Sequence, residues 1–152
     1  MNLTIGLTAA FFALGTIIGS FISMLNYRIK NELPGKFFGR SKCIYTGKPL
    51  KFYELIPIFS YIFLGGRSRY SDEKIPLQYF LLELVTGFIF AITFLQFNFL
   101  DTTINPLLTA FWLIIFAIAI AIFFYDLENL EIPESYLNSF SIIALIGAIT
   151  LL

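Results

Sequence analysis

The chain has 152 residues, ten basic and ten acidic side chains and no formal net charge; 58% of it is hydrophobic, 18% aromatic and only 13% charged. Those proportions exclude an ordinary soluble domain, in which roughly a quarter of the residues carry charge, and place the chain in a membrane. Cys43 is the only cysteine and there is no histidine, so an intramolecular disulfide is excluded, and nothing points to nucleic acid.

The first predicted element is the apolar run from Leu3 to Leu25, within residues 1–27. It lacks a basic n-region and exceeds the roughly 7–15 apolar residues of a signal h-region, so it reads as a retained helix. Gly15, Gly19, Ser20 and Ser23 give this helix a stripe of small residues, the usual means by which a second membrane helix comes close. Residues 28–76 follow as one loop that holds every basic residue of the chain: Arg28, Lys30, Lys36, Arg40, Lys42, Lys48, Lys51, Arg67, Arg69 and Lys74. Lys and Arg are retained on the cytoplasmic side, so the loop is predicted to be cytosolic and the amino terminus external. Inside the loop, Leu55 to Leu64 is apolar but too short to span and is broken by Pro57, which predicts a segment at the membrane interface or beneath the bundle.

Residues 77–152 hold three further apolar segments, Leu77 to Leu100, Ile104 to Tyr125 and Tyr136 to Leu152, the last only just long enough to cross. Asn105-Pro106 supplies an N-cap and an N1 proline for the third segment, and Pro133 separates the third from the fourth. Continuous apolar runs, rather than short alternating strands, must satisfy their own amides in lipid as helices. The expected fold is all-α: a polytopic membrane protein with about four transmembrane helices and one large cytosolic loop. Counting spans from that loop puts the Asp101-Thr102-Thr103 turn outside and returns the acidic turn, Asp126 to Glu134, to the cytosol.

Several motifs share an order. Gly19-Ser20-Phe21-Ile22-Ser23 with Arg28 closes the first helix; Cys43/Thr46 and Ser68/Ser71 have the spacing of two C-x-x-C knuckles with three sulfurs missing; Leu55-Ile56-Pro57, Gly66-Arg67 and Gln78-Tyr79-Phe80-Leu81-Leu82-Glu83 lie between and after them. Tyr125-Asp126 to Ile132-Pro133-Glu134 then follows a span. In this order the chain resembles the bacterial prepilin peptidases, or type IV leader peptidases, over nearly its whole length. The resemblance implies cleavage, at the cytosolic face of the bacterial inner membrane, of the basic leader of type IV pilin-like precursors. It also implies N-methylation of the new amino terminus with S-adenosylmethionine where that second activity is present; the peptidase itself needs no cofactor.

By the same resemblance Asp126 matches the first of two catalytic aspartates. Aspartic proteolysis needs the pair because one carboxylate takes a proton from the attacking water while the other, held protonated by its neighbour's charge, polarises the scissile carbonyl. Glu128, Glu131 and Glu134 are the further candidates for contact with a basic leader, although a run of charge just past a span is more often a solvated face. Zinc is not expected in the loop: structural zinc wants four thiolate or imidazole ligands, and Cys43 alone remains of the family's cysteines. The second family aspartate sits in a G-x-G-D motif one or two spans further on and is absent from these residues. The expectation is therefore a fragment of a longer reading frame, inactive alone; the alternative is a non-enzymatic membrane subunit or truncated partner of a pilus or secretion assembly. A small transporter is a third reading, weakened because only Glu83 lies at any depth in a span.

Overall fold

The computed structural model describes residues 2–33, 41, 43, 45–71, 73–97 and 106–150. Lys36, Arg40 and Lys42 of the basic loop, the Asp101-Thr102-Thr103 turn and Asn105 lie outside the described residues. Five α-helices appear in chain order: α1 (Asn2–Lys30), α2 (Phe59–Phe63), α3 (Leu77–Phe97), α4 (Pro106–Asn129) and α5 (Glu134–Thr150), with a 3-10 turn at Phe52–Leu55. Arg67 and Lys74 pair in an isolated antiparallel bridge. The chain is an all-α membrane protein.

Three of the helices, over Leu3–Lys30, Leu77–Phe97 and Pro106–Asn129, are long and apolar enough to cross a membrane. The fourth expected span corresponds to α5, which runs to Thr150, the last described residue, with Ser135, Asn138, Ser139 and Ser141 in the half nearest Glu134.

α1 and α3 form the main interface and run antiparallel. Phe11 stacks on Phe94 at 4.6 Å near one end, and Phe12 meets Phe88 edge-on at 5.2 Å. Towards the other end the two backbones nearly touch: a Cβ added to Gly15 would lie 2.6 Å from the Thr86 carbonyl oxygen, and one added to Gly19 would lie 2.8 Å from the Glu83 Cα. The small-residue stripe therefore packs helices, which is what lipid-embedded helices need, because dispersion at close range must replace the missing hydrophobic drive between them. α4 lies against both, and α5 returns along α4, with Phe111 of α4 over Gly147 of α5.

A buried apolar cluster lies at one end of this bundle. Ile22 and Leu25 of α1, Leu82 of α3, Ile120, Ala121, Phe124 and Tyr125 of α4 and Tyr136 of α5 form a single buried cluster there. The carboxyl ends of α1 and α4 and the amino ends of α3 and α5 thus meet, so the basic loop and the acidic turn emerge on one face, in agreement with the alternation expected from the sequence.

Candidate functional site

α4 ends where Leu130 adopts φ 55° and its N–H bonds the Asp126 carbonyl at 2.8 Å, a left-handed stop made by a non-glycine residue. Pro133 then contributes its carbonyl to the N–H groups of Tyr136 and Leu137, at 3.0 and 3.3 Å, and opens α5. Asp126 is consequently part of the last turn of α4, with its side chain exposed.

What surrounds that turn is polar and specific. The Asn26 amide donates to the Ala121 carbonyl at 3.2 Å, the Gln78 amide to the Phe124 carbonyl at 2.9 Å, and the Asn129 amide to the Tyr125 carbonyl at 3.0 Å. The Tyr136 hydroxyl donates to Asn26 Oδ1 at 2.5 Å, and the Tyr125 and Tyr136 rings meet edge-on at 6.2 Å. Side chains from α1, α3 and α5 therefore hold the carbonyl-rich end of α4 from three sides. Asn26 and Tyr136 are 5% and 7% exposed, so these bonds are made away from water, where an unmade one is costly. The effect is to fix the backbone of Asp126 while leaving its carboxylate exposed.

The other acidic candidates are not gathered around Asp126 by any hydrogen bond or ion pair among the described residues. Glu128 is turned to Lys30 at the end of α1, with Nζ and Oε1 2.7 Å apart and both side chains partly exposed. Glu131 and Glu134 are exposed.

Asn26 and Tyr136 have no role in the motifs read from the sequence, and Gln78 enters there only as the first residue of the run that ends at Glu83. Neutral polar residues at span ends look like interfacial groups, and the available signal was that Asn26 and Tyr136 stand two residues from Arg28 and from Glu134, beside motifs already recognised. Arg28 is itself buried, at 7% exposure.

The loop has a second centre. Cys43 Sγ and Ser68 Oγ lie 3.3 Å apart, so the positions that correspond to the two knuckles do meet. Cys43 N–H bonds the Lys48 carbonyl and Gly47 N–H the Cys43 carbonyl, both at 2.8 Å, with Gly47 at φ 68° closing the turn. Burial pushes the Cys43 thiol up, but hydrogen bonds from Ser68 and Thr46 and from the Tyr45 and Thr46 backbone more than offset it and lower the pKa to about 7. One thiol with three hydroxyls does not suit zinc, because hydroxyls stay protonated and bind it poorly; among the described residues no three His, Cys, Asp or Glu side chains converge to hold a metal. Next to this turn, Glu54 accepts from Lys51 N–H at 2.7 Å and from the Tyr70 hydroxyl at 2.9 Å, and that bond to Glu54 raises the Tyr70 pKa.

Glu83 is buried in α3, and its Oε2 accepts the Ile58 N–H at 2.7 Å, with the Ser20 hydroxyl bonded to the same side chain. A carboxylate at that depth is tolerated because donors from α1 and the loop meet it. This argues against a transport role for Glu83.

Comparison with known proteins shows the family of the chain. The family described as Bacterial Peptidase A24 N-terminal domain matches residues 13–97. The chain is similar to prepilin leader peptidase/N-methyltransferases: that of Vibrio cholerae is 31% identical over 132 residues, covering 82% of this chain and 49% of the relative. That of Myxococcus xanthus is 28% identical over 124 residues, 82% of this chain and 35% of the relative, and that of Bacillus subtilis 34% over 87 residues, 57% and 35%. The chain thus spans about half or less of the length of these relatives. No solved structure matches.

Proposed function

The chain belongs to the Bacterial Peptidase A24 N-terminal domain family, and from that membership we propose that it contributes the first catalytic carboxylate, Asp126, of a membrane aspartic peptidase. The peptidase removes the basic leader of type IV pilin-like precursors at the cytosolic face of the bacterial inner membrane. The observation that carries this reading is the exposed carboxylate of Asp126 on a helix end held from three sides, in a chain 31% identical to a named prepilin leader peptidase.

In this role Asp126 shares a proton with a second aspartate that these 152 residues do not contain in the expected motif, supplied by a longer chain or a partner polypeptide. One carboxylate of the pair takes the proton of the attacking water and the other donates to the carbonyl oxygen. The rigid backbone at Asp126 keeps its half of the pair at a set distance from the bilayer surface. Glu128, Glu131 and Glu134 border the approach and favour a positively charged leader by long-range attraction. N-methylation of the new amino terminus, with S-adenosylmethionine as donor, belongs to the same proposal because the relatives are named for both activities; no residue of this chain is assigned to it.

The test is cleavage of a pilin precursor by this chain together with a segment bearing G-x-G-D. Asp126→Asn should reduce turnover at least about a hundredfold, the scale of lost acid–base catalysis. Glu128→Gln should leave most of it. Processing at the normal rate by the Asp126→Asn protein would return Asp126 to an interfacial, non-catalytic role.

A further inference from the structure

The turn that carries Asp126 is joined to the basic loop by a short chain of bonds through the start of α3. Gln78 is the second residue of α3, and its amide reaches across to the Phe124 carbonyl, two residues before Asp126, at 2.9 Å. Within an α-helix that carbonyl already takes the N–H four residues further on, so the Gln78 amide uses its second lone pair. At 1.5 Å of rise per residue the tie lies about 3 Å along the α4 axis from Asp126. Phe124 belongs to the buried cluster, at 5% exposure, so the bond is made beside the core, where a hydrogen bond is electrostatically stronger than in water.

On the loop side there is little slack. Ile75, Pro76 and Leu77 alone separate Gln78 from the bridge between Arg67 and Lys74. The Ile75 N–H bonds the Gly66 carbonyl at 2.8 Å, and Pro76, whose ring fixes its φ, offers its carbonyl to the Tyr79 N–H at 3.2 Å. The Tyr45 hydroxyl donates to the Lys74 carbonyl at 2.7 Å, and Tyr45 stands in the turn that Cys43 and Gly47 close. A displacement of that turn is passed through Lys74 to Gln78 with few free torsions to absorb it, and from Gln78 to the end of α4. Tyr79, next to Gln78, is within electrostatic range of both Tyr45 and Glu128, so the loop turn and the acidic turn are neighbours as well as linked.

Such a link matters to acid–base chemistry. Proton transfer requires heavy atoms within about 2.6–3.2 Å of each other, and a misplacement of about 1 Å costs about a hundredfold in rate. Asp126 has an exposed side chain, so it takes its placement from the backbone of its turn.

We propose that Gln78 is a positioning residue for Asp126, and that the basic loop, through Tyr45 and Lys74, sets where Gln78 stands. The proposal rests on the reading of Asp126 as catalytic.

The test follows processing of a pilin precursor by this chain together with the segment bearing G-x-G-D, with turnover counted per folded chain. Gln78→Leu removes the donor at similar size and should lower kcat about ten- to a hundredfold with KM unchanged. Gln78→Lys keeps a donor and puts a cation at the carboxyl end of α4, where the helix dipole favours it, and should recover most of that loss. Tyr45→Phe should lower kcat as well, and the Tyr45→Phe/Gln78→Leu double variant should be no slower than Gln78→Leu alone. In parallel, isotopic labelling of phenylalanine at its carbonyl carbon and of tyrosine at nitrogen selects two peptide bonds by NMR, Phe52 to Tyr53 and Phe124 to Tyr125, which Tyr53→Phe tells apart. The Phe124 carbonyl signal should move in Gln78→Leu and return in Gln78→Lys. An unmoved signal in Gln78→Leu, or normal kcat in that variant while Asp126→Asn abolishes processing, would overturn the positioning role. Additive losses in the double variant would overturn the link to the loop. Normal processing by Asp126→Asn would overturn the catalytic reading and the positioning role together.

Discussion

The bond between Tyr136 and Asn26 ties the first and last described helices together and offers a sharp test of how the Asp126 turn is held. Tyr136→Phe removes one hydroxyl without changing shape, and leaves Asn26 Oδ1, in a residue 5% exposed, without the 2.5 Å donor it now has. Asn26→Leu removes two bonds, that one and the 3.2 Å bond to the Ala121 carbonyl, and strands the Tyr136 hydroxyl. A net hydrogen bond is worth about 1 kcal/mol and a stranded buried group costs about 1–3 kcal/mol, so Tyr136→Phe should cost about 1–2 kcal/mol and Asn26→Leu about 2–3 kcal/mol. Membrane proteins return less than water-soluble ones for such bonds, about 0.6 and at most about 1.7 kcal/mol, because the unfolded chain in lipid also finds partners. The double variant should therefore fall short of additivity by about 0.6–1.7 kcal/mol. Reversible unfolding in mixed detergent micelles, read by tryptophan emission from Trp112, measures all four proteins. Strict additivity within about 0.3 kcal/mol would show that the two residues are not coupled, and would remove the argument that α1 and α5 jointly fix the end of α4.

Gly15→Ala should destabilise the protein by about 1–3 kcal/mol in the same unfolding assay, because the new methyl group meets backbone atoms of Thr86 and Gly87 that cannot step aside. Gly6→Ala, with nothing within 4 Å, should be neutral or mildly stabilising; equal losses at both sites would dismiss the close α1–α3 approach. Removing the partly exposed Lys30 pairing by Glu128→Gln should cost under about 1 kcal/mol, and a larger loss would mark the pair as structural. Alkylation of Cys43 should reach half its maximal rate near pH 7, and Ser68→Ala should move that midpoint upward. Since the folded thiol ionises below its ordinary value, the stabilisation it provides is complete above the unfolded pKa and is lost as pH falls through about 7; a midpoint near 9 would mean that the hydrogen bonds are not made.

Much of the architecture was legible in the amino-acid order. Apolar runs of about 20 residues can satisfy their amides only as helices in lipid, so α1, α3 and α4 follow from composition and length. The Pro106 and Pro133 turns follow from a residue that cannot donate a backbone hydrogen bond. The common face of the basic loop and the acidic turn follows from counting spans. Gly15 and Gly19 announced a close approach without naming the partner, because small residues permit contact and only a facing backbone makes it. Tertiary structure alone decided that the partner is the Thr86–Gly87 stretch of α3, and that Glu83 is spent on Ile58. It likewise decided that Asn26, Gln78 and Tyr136 converge on one helix end across sequence separations of 46 to 110 residues. Short-range patterns determine which segments become helices because each amide finds its partner four residues away. Which polar side chain completes which carbonyl depends on distances that exist only once the helices have packed.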